Sequence, residues 1–220
     1  MQKSKDIKLS GFTLIELVIT IAVFTVGILA AFTLSLSNVN NSRENVDRVT
    51  ASNLAREGIE LVRNIRDGNW LKIDVNALCG GAVCVWDSGI LRNEFVRIDY
   101  DTLSVGESID ICNGSGDITN CLDQCAGGGC DIYLNSNGFY THDSSGGATT
   151  TNMSRVIRIE SICFKEGNPE FFASPALGSC QAALSGSVKV GVKVTSQVRW
   201  NRLDKISYFT AVDYLYNWRR

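Results

Sequence analysis

Residues Gly11–Leu36 read GFTLIELVITIAVFTVGILAAFTLSL, an apolar run without proline whose only charge is Glu16. At ~1.5 Å per residue, about 25 residues of helix reach roughly 37 Å, enough to cross a hydrocarbon core of about 30 Å. A carboxylate at depth in such a span costs on the order of 2.5–3.5 kcal/mol, so Glu16 calls for a partner. Before the run stand Lys3, Lys5 and Lys8 against a single Asp6. That basic excess keeps the N-terminal end in the cytoplasm and directs everything after about Ser37 outside it. An ordinary secretory signal, cut near Ser35-Leu36-Ser37, fits less well. Its apolar region spans only about 7–15 residues and does not hold a carboxylate.

The basic leader, the Gly-Phe-Thr-Leu-Ile-Glu of Gly11–Glu16 and the apolar run together resemble the N-terminus of type IV prepilins and type II secretion pseudopilins. The resemblance implies that a prepilin peptidase cuts between Gly11 and Phe12 and that the new N-terminal Phe12 is N-methylated. It also implies assembly with other pilins or pseudopilins through the N-terminal helix, with Glu16 paired to the free amine of a neighbour's Phe12. Two further stretches look like the heads of certain minor pilins. One is Tyr133–His142 followed by Ser154–Ile159; the other is the end, where a strand reaching Trp200 precedes Tyr214-Leu-Tyr-Asn-Trp-Arg219. Many major pilins carry a proline in the membrane helix, and this run has none.

All eight cysteines, at 79, 84, 112, 121, 125, 130, 163 and 180, lie beyond the apolar run. An even number in an exported segment reads as disulfides. The spacings lack the Cys-x2-Cys pattern of a zinc site, and His142 is the single histidine. Eight cysteines allow 105 connectivities; short loops suggest Cys79–Cys84, Cys125–Cys130 and Cys163–Cys180, leaving Cys112–Cys121. Removing the leader, which carries +2, takes the formal charge from −2 to −4. A nucleic-acid surface would show as basic excess, and there is none.

From Asn38 to about Asp67 the helical period continues in polar sequence. Ala51, Leu54, Ala55, Gly58, Val62 and Ile65 recur at three- and four-residue steps on one face, and Gly68 is the expected stop. A break near Asn38–Ser42 is the alternative, because helix propensity drops there. Short alternating runs follow at 94–100, 131–134, 139–142, 155–160, 188–200 and 206–216, with Asn135-Ser-Asn-Gly138 as a hairpin turn. The expected fold class is α+β and pilin-like: a long N-terminal helix packed on an antiparallel β-sheet head. The expected divisions are 1–11 leader, 12–36 membrane and assembly helix, 37–67 amphipathic helix and 68–220 disulfide-rich head.

Catalysis finds little support. His142 sits beside Asp143 and Ser144 in a Ser/Gly/Thr-rich stretch that reads as a solvated loop, and adjacency in sequence is not triad geometry. Asp110–Asp117 scatters oxygen ligands without the spacing of a calcium loop. Gly127-Gly-Gly129 neither follows a strand nor opens a helix, as a phosphate loop would. No cofactor or metal is expected. The function expected is a non-catalytic filament subunit. The alternative is a tip module that binds a surface, DNA or secreted cargo through the Cys112–Cys130 loop.

Overall fold

The computed structural model describes residues 11, 13–75, 78–79, 82–90, 95–100, 112, 116–173, 179–203 and 205–218. Helix α1 spans Leu14–Asp74. The chain divides into two compact units, Met1–Val46 and Asp47–Arg220.

In the first unit, α1 is apolar on every side from Leu17 to Leu34 and turns polar from Ser37 onward. Leu14, Ile15, Val18, Phe24, Leu29 and Phe32 are all more than half exposed, and none of the described residues of this unit is buried. The helix runs unbroken through 38–42, where a break was the alternative.

In the second unit the same helix is amphipathic. Its buried residues are Ala51, Leu54, Ala55, Gly58, Ile59, Val62, Ile65 and Asn69. The stripe read from sequence is present, and Ile59 and Asn69 extend it. Gly68 does not stop the helix. Trp70 and Ile73 pack against the main core cluster, and Asn69 donates from Nδ2 to the carbonyls of Trp86 (3.2 Å) and Ser88 (2.8 Å). Those contacts outweigh the ~1 kcal/mol that an interior glycine costs a helix.

The sheet is antiparallel. Strands β1 (Leu78–Cys79) and β2 (Ala82–Val83) form a small ribbon. The main sheet runs β5 (Tyr140–Thr141), β4 (Asp131–Leu134), β6 (Thr149–Phe164), β8 (Val188–Arg202), β9 (Lys205–Tyr216). One side of β6 pairs with β8 along nearly its whole length. Its other side is shared by β4, β3 (Phe95–Val96) and β7 (Phe171–Ala173). Each alternating run read from sequence holds at least part of a strand; the 94–100 run shortens to two residues.

Helix α1 covers one face of this sheet. Ile59, Val62 and Ile65 join Ile157, Ile159, Val192, Val194 and Leu215, while Ala51, Leu54 and Ala55 join Val198 and Trp200. Small residues on the helix set the closeness of the approach. A Cβ at Gly58 would lie 2.7 Å from Ser196 Oγ and 3.0 Å from Ile157 Cδ1. Helix α2 (Ile118–Cys125) packs on the other face through Ile118 and Leu122 against Phe95 and Val156. This helix lies inside the stretch expected to be a loop. Its N-cap Asp117 accepts from Asn120 N, and its buried stripe Ile118, Cys121, Leu122 and Cys125 has helical spacing, half of it made of disulfide cysteines. Helix α3 (Cys180–Ala183) is a single turn.

Replacing Gly58 tests the close approach directly. Gly58→Leu is expected to destabilise the head by about 1–3 kcal/mol, despite leucine's better helix propensity. Urea unfolding of the detergent-solubilised chain, followed by tryptophan fluorescence, measures it. An unchanged midpoint would show that the helix stands off the sheet.

Candidate functional site

Gly11 and Thr13 to Glu16 begin the apolar helix. Thr13 stands just before α1 and Glu16 lies in its first turn. The Glu16 carboxylate accepts from Thr13 N (3.2 Å) and Thr13 Oγ1 (3.1 Å), while Glu16 N donates to Thr13 Oγ1 (3.4 Å). This is a capping box: a Thr and a Glu three residues apart satisfy each other's end-of-helix groups. The carboxylate also sits at the positive end of the helix dipole. Sequence reading named Glu16 but missed its local partner, which the Thr-x-x-Glu spacing announces. A Cβ built on Gly11 meets nothing within 4 Å. Phe12 and the leader lie outside the described residues.

Beyond the cap the helix has no apolar partner among the described residues of its own unit, and it is long and apolar enough to cross a membrane. Thr20 Oγ1 bonds back to the Glu16 carbonyl (2.6 Å), Thr25 to Ala22 (2.9 Å) and Thr33 to Ala30 (2.9 Å). Their hydroxyls are thus satisfied within the helix, which suits an apolar solvent.

The head carries a second cluster of charge, around Arg155 on β6. Its side chain is fully buried. Nη1 donates to Leu54 O on α1 (3.1 Å) and Nη2 to Ile98 O (2.7 Å). Glu57 Oε1 lies 3.6 Å away and Asp99 Oδ1 3.8 Å. Asp99 in turn accepts from Thr141 Oγ1 (3.1 Å) and from His142 N, and its Oδ1 lies 2.7 Å from His142 Nδ1. The His142 side chain is 4% exposed, so the solvated-loop reading is corrected for the histidine, while Asp143 to Gly147 beside it are exposed. What draws the histidine inward is a carboxylate more than forty residues earlier in the chain, which local composition does not reveal. Burial pushes the His142 pKa down, and the positive Arg155 adds to that against the pull of Asp99. Burial opposes ionisation of Asp99, but its bonds to His142 prevail and hold its pKa below the ordinary value. The cluster joins a guanidinium, a carboxylate, an imidazole and the Thr141 hydroxyl, drawn from α1, β6 and the segments after β3 and around β5. Its geometry is that of a buttress between helix and sheet.

The cysteines form staples rather than a metal centre. Disulfides join Cys112–Cys121, Cys125–Cys130 and Cys163–Cys180. Sulfurs of Cys112, Cys121 and Cys125 lie within 4.8 Å of one another because two bridges meet at α2. Cys84 is also disulfide-bonded, and the expected Cys79–Cys84 pairing involves a side chain outside the described residues. The Asp110–Asp117 stretch weighed for calcium lies outside them as well, apart from Cys112, Gly116 and the cap Asp117.

An N-terminal helix followed by an antiparallel sheet head fits the α+β pilin fold. Residues 8–32 match the family model described as the prokaryotic N-terminal methylation motif, so the chain carries the type IV prepilin-like signal. The match supports a pilin-like subunit of a pilus or secretion filament and implies processing by a prepilin peptidase; with the apolar helix it supports membrane anchoring. No curated protein and no solved structure matches the chain.

The His142 shift predicts a pH dependence. Its folded pKa lies below the ordinary 6.5, so the unfolded chain takes up a proton first as pH falls. The contribution is complete above that value and is lost progressively below it. Unfolding free energy should therefore drop between about pH 7.5 and about pH 5.5, and His142→Gln should flatten that slope. Denaturant titrations of both proteins at the two pH values check it; identical slopes would remove His142 as the cause.

Proposed function

We propose that this chain is a non-catalytic minor pilin or pseudopilin, cleaved at Gly11–Phe12 and assembled into a filament through its apolar helix. The observation that carries the reading is the prepilin-type signal set on a helix apolar all round, with Glu16 in its first turn. The mechanism is one of solvent exchange. Lipid dissolves the helix before assembly, and neighbouring helices replace lipid in the fibre, so apolar burial is preserved as the subunit leaves the membrane.

Glu16 gives this exchange its direction. In the single chain its carboxylate is held by the Thr13 cap, which makes the charge tolerable near the end of the helix. In the fibre the free amine of a neighbour's Phe12 supplies the counter-charge. A paired buried charge is tolerated, whereas one partner alone costs about 3–5 kcal/mol. Phe12 is the residue proposed to be N-methylated. The basic leader supports an N-terminus in the cytoplasm and a head outside it. The tip-binding alternative draws less support, because Cys112, Cys121, Cys125 and Cys130 are buried against the sheet and fit a stapling role.

Processing is tested by co-expression with a prepilin peptidase. Intact mass should show a chain beginning at Phe12 with one added methyl group, and Gly11→Leu should block cleavage. Retention of Met1, or a terminus near Asn38, contradicts the proposal.

Assembly is tested separately. Glu16→Gln keeps the shape and removes the charge, so insertion and cleavage should persist while incorporation into sheared fibres falls. Equal incorporation of wild type and variant would show the carboxylate to be incidental.

A further inference from the structure

Strand β9 closes one side of the sheet, and no described strand pairs with its outer edge. Its ladder with β8 runs from Arg202↔Lys205 to Gly191↔Tyr216 without a bulge. Only two residues separate Arg202 from Lys205, and Leu203 there has φ 49°. A two-residue hairpin makes its flanking residues a hydrogen-bonded pair. At the far end Asn217 N donates to Val190 O (2.8 Å), in the same parity. Odd-numbered residues of β9 therefore bond to β8. Ile206, Tyr208, Thr210, Val212 and Tyr214 turn their N–H and C=O groups to the open edge.

That edge is unprotected in its middle. The Tyr214 N–H is taken by Asp213 Oδ1 (2.9 Å), and the Tyr216 carbonyl receives Arg66 Nη1 (3.5 Å). Among the described residues, nothing bonds to the N–H groups from Ile206 to Val212 or to the matching carbonyls. Native edges are usually blunted by proline, a bulge or free charge. Here there is no proline and no bulge, and the charge of Asp213 is engaged by Arg63 at 2.5 Å.

The same five residues present their side chains on the face away from α1, where all are exposed. Their order is self-complementary. An antiparallel pairing centred on Thr210 sets Ile206 opposite Tyr214, Tyr208 opposite Val212, and Thr210 opposite itself. Aromatic with β-branched and Thr with Thr are favourable cross-strand pairs. The charged residues fall opposite neutral ones, Lys205 against Leu215 and Asp213 against Ser207. The Tyr208 hydroxyl donates to Asp123 Oδ1 (2.6 Å) and that of Tyr216 to Glu170 Oε2 (2.9 Å), so these two rings are already positioned.

We propose that β9 pairs with β9 of a second copy of this chain, antiparallel about a two-fold axis at Thr210, joining two heads in one continuous sheet. The contact is isologous, with each residue meeting its counterpart. It forms about eight backbone hydrogen bonds. The head portion of α1 runs in the same direction as β9: Asp47 pairs with Arg202 beside its start, and Arg66 reaches Tyr216 at its end. The pairing therefore sets two such segments antiparallel. It joins copies that face each other rather than copies aligned along one fibre, and it is independent of the helix-mediated assembly proposed above.

The test uses the full chain in detergent micelles. Sedimentation velocity should show a concentration-dependent dimer. Thr210→Cys should give a reductant-sensitive covalent dimer on a denaturing gel, and Lys205→Cys, far from its own counterpart, should not. Val212→Pro removes only an outward N–H, so the circular dichroism of the head should persist while the dimer dissociation constant rises by about tenfold or more. A monomer at every concentration, equal cross-linking of the two cysteine variants, or a dimer indifferent to Val212→Pro would each overturn the proposal.

Discussion

Arg155 lies in the middle strand of the sheet with its side chain enclosed, and that enclosure requires partners from several separate parts of the chain. The Leu54 carbonyl and Glu57 come from α1, Ile98 and Asp99 follow β3, and Asp99 in turn holds Thr141 at the end of β5 and His142 just after it. A guanidinium is always charged and presents its donors in a fixed fork, so it cannot be buried until those acceptors are in place. The register of α1 on the sheet is thereby tied to the position of two chain segments that have little secondary structure of their own. Gly58 complements this: the polar cluster fixes where the helix sits along the sheet, and the missing side chain fixes how close it comes.

The same helix answers to two solvents. From Leu14 to Leu36 it offers hydrocarbon on every side; from Ala51 to Asn69 it offers one stripe. A helix satisfies its backbone wherever it goes, so a single element passes from one regime to the other without a break in hydrogen bonding. What changes is the side-chain pattern alone. The capping box at Thr13 and Glu16 extends this self-sufficiency to the end of the element, where four backbone N–H groups otherwise lack partners.

These features were unequally legible in the sequence. The apolar run, the stripe at Ala51–Ile65 and the strands at 131–134, 188–200 and 206–216 follow from periods and composition, because each element's own pattern decides it. The Cys125–Cys130 and Cys163–Cys180 bridges join cysteines that are close in the chain, so short loops point to them, and Cys112–Cys121 follows only as the remaining pair. The failures share a cause. Gly68 reads as a stop because its local propensity is poor, and contacts made by Asn69, Trp70 and Ile73 decide otherwise. His142 reads as solvated because its neighbours are polar, and Asp99 draws it inside. Helix α2 is the exception: Ile118, Cys121, Leu122 and Cys125 do recur at helical spacing on one face, but two of the four are cysteines, which read as staples of a loop. Long-range polar contacts leave no periodic trace.

The threonines of the apolar helix carry a consequence for whatever lies beside it. With the hydroxyls of Thr20, Thr25 and Thr33 spent on carbonyls of their own helix, the surface from Leu17 to Leu34 offers a neighbour aliphatic groups and the Phe24 and Phe32 rings, with no free side-chain hydroxyl or charge. Dispersion forces reward any close fit and discriminate little between rotations or shifts of one helix against the next. Such a surface is adhesive without being selective. Choice of register between neighbours then rests with the few polar groups at the extremities, the carboxylate at one end and the heads at the other, and the oily stretch between them acts as a bearing.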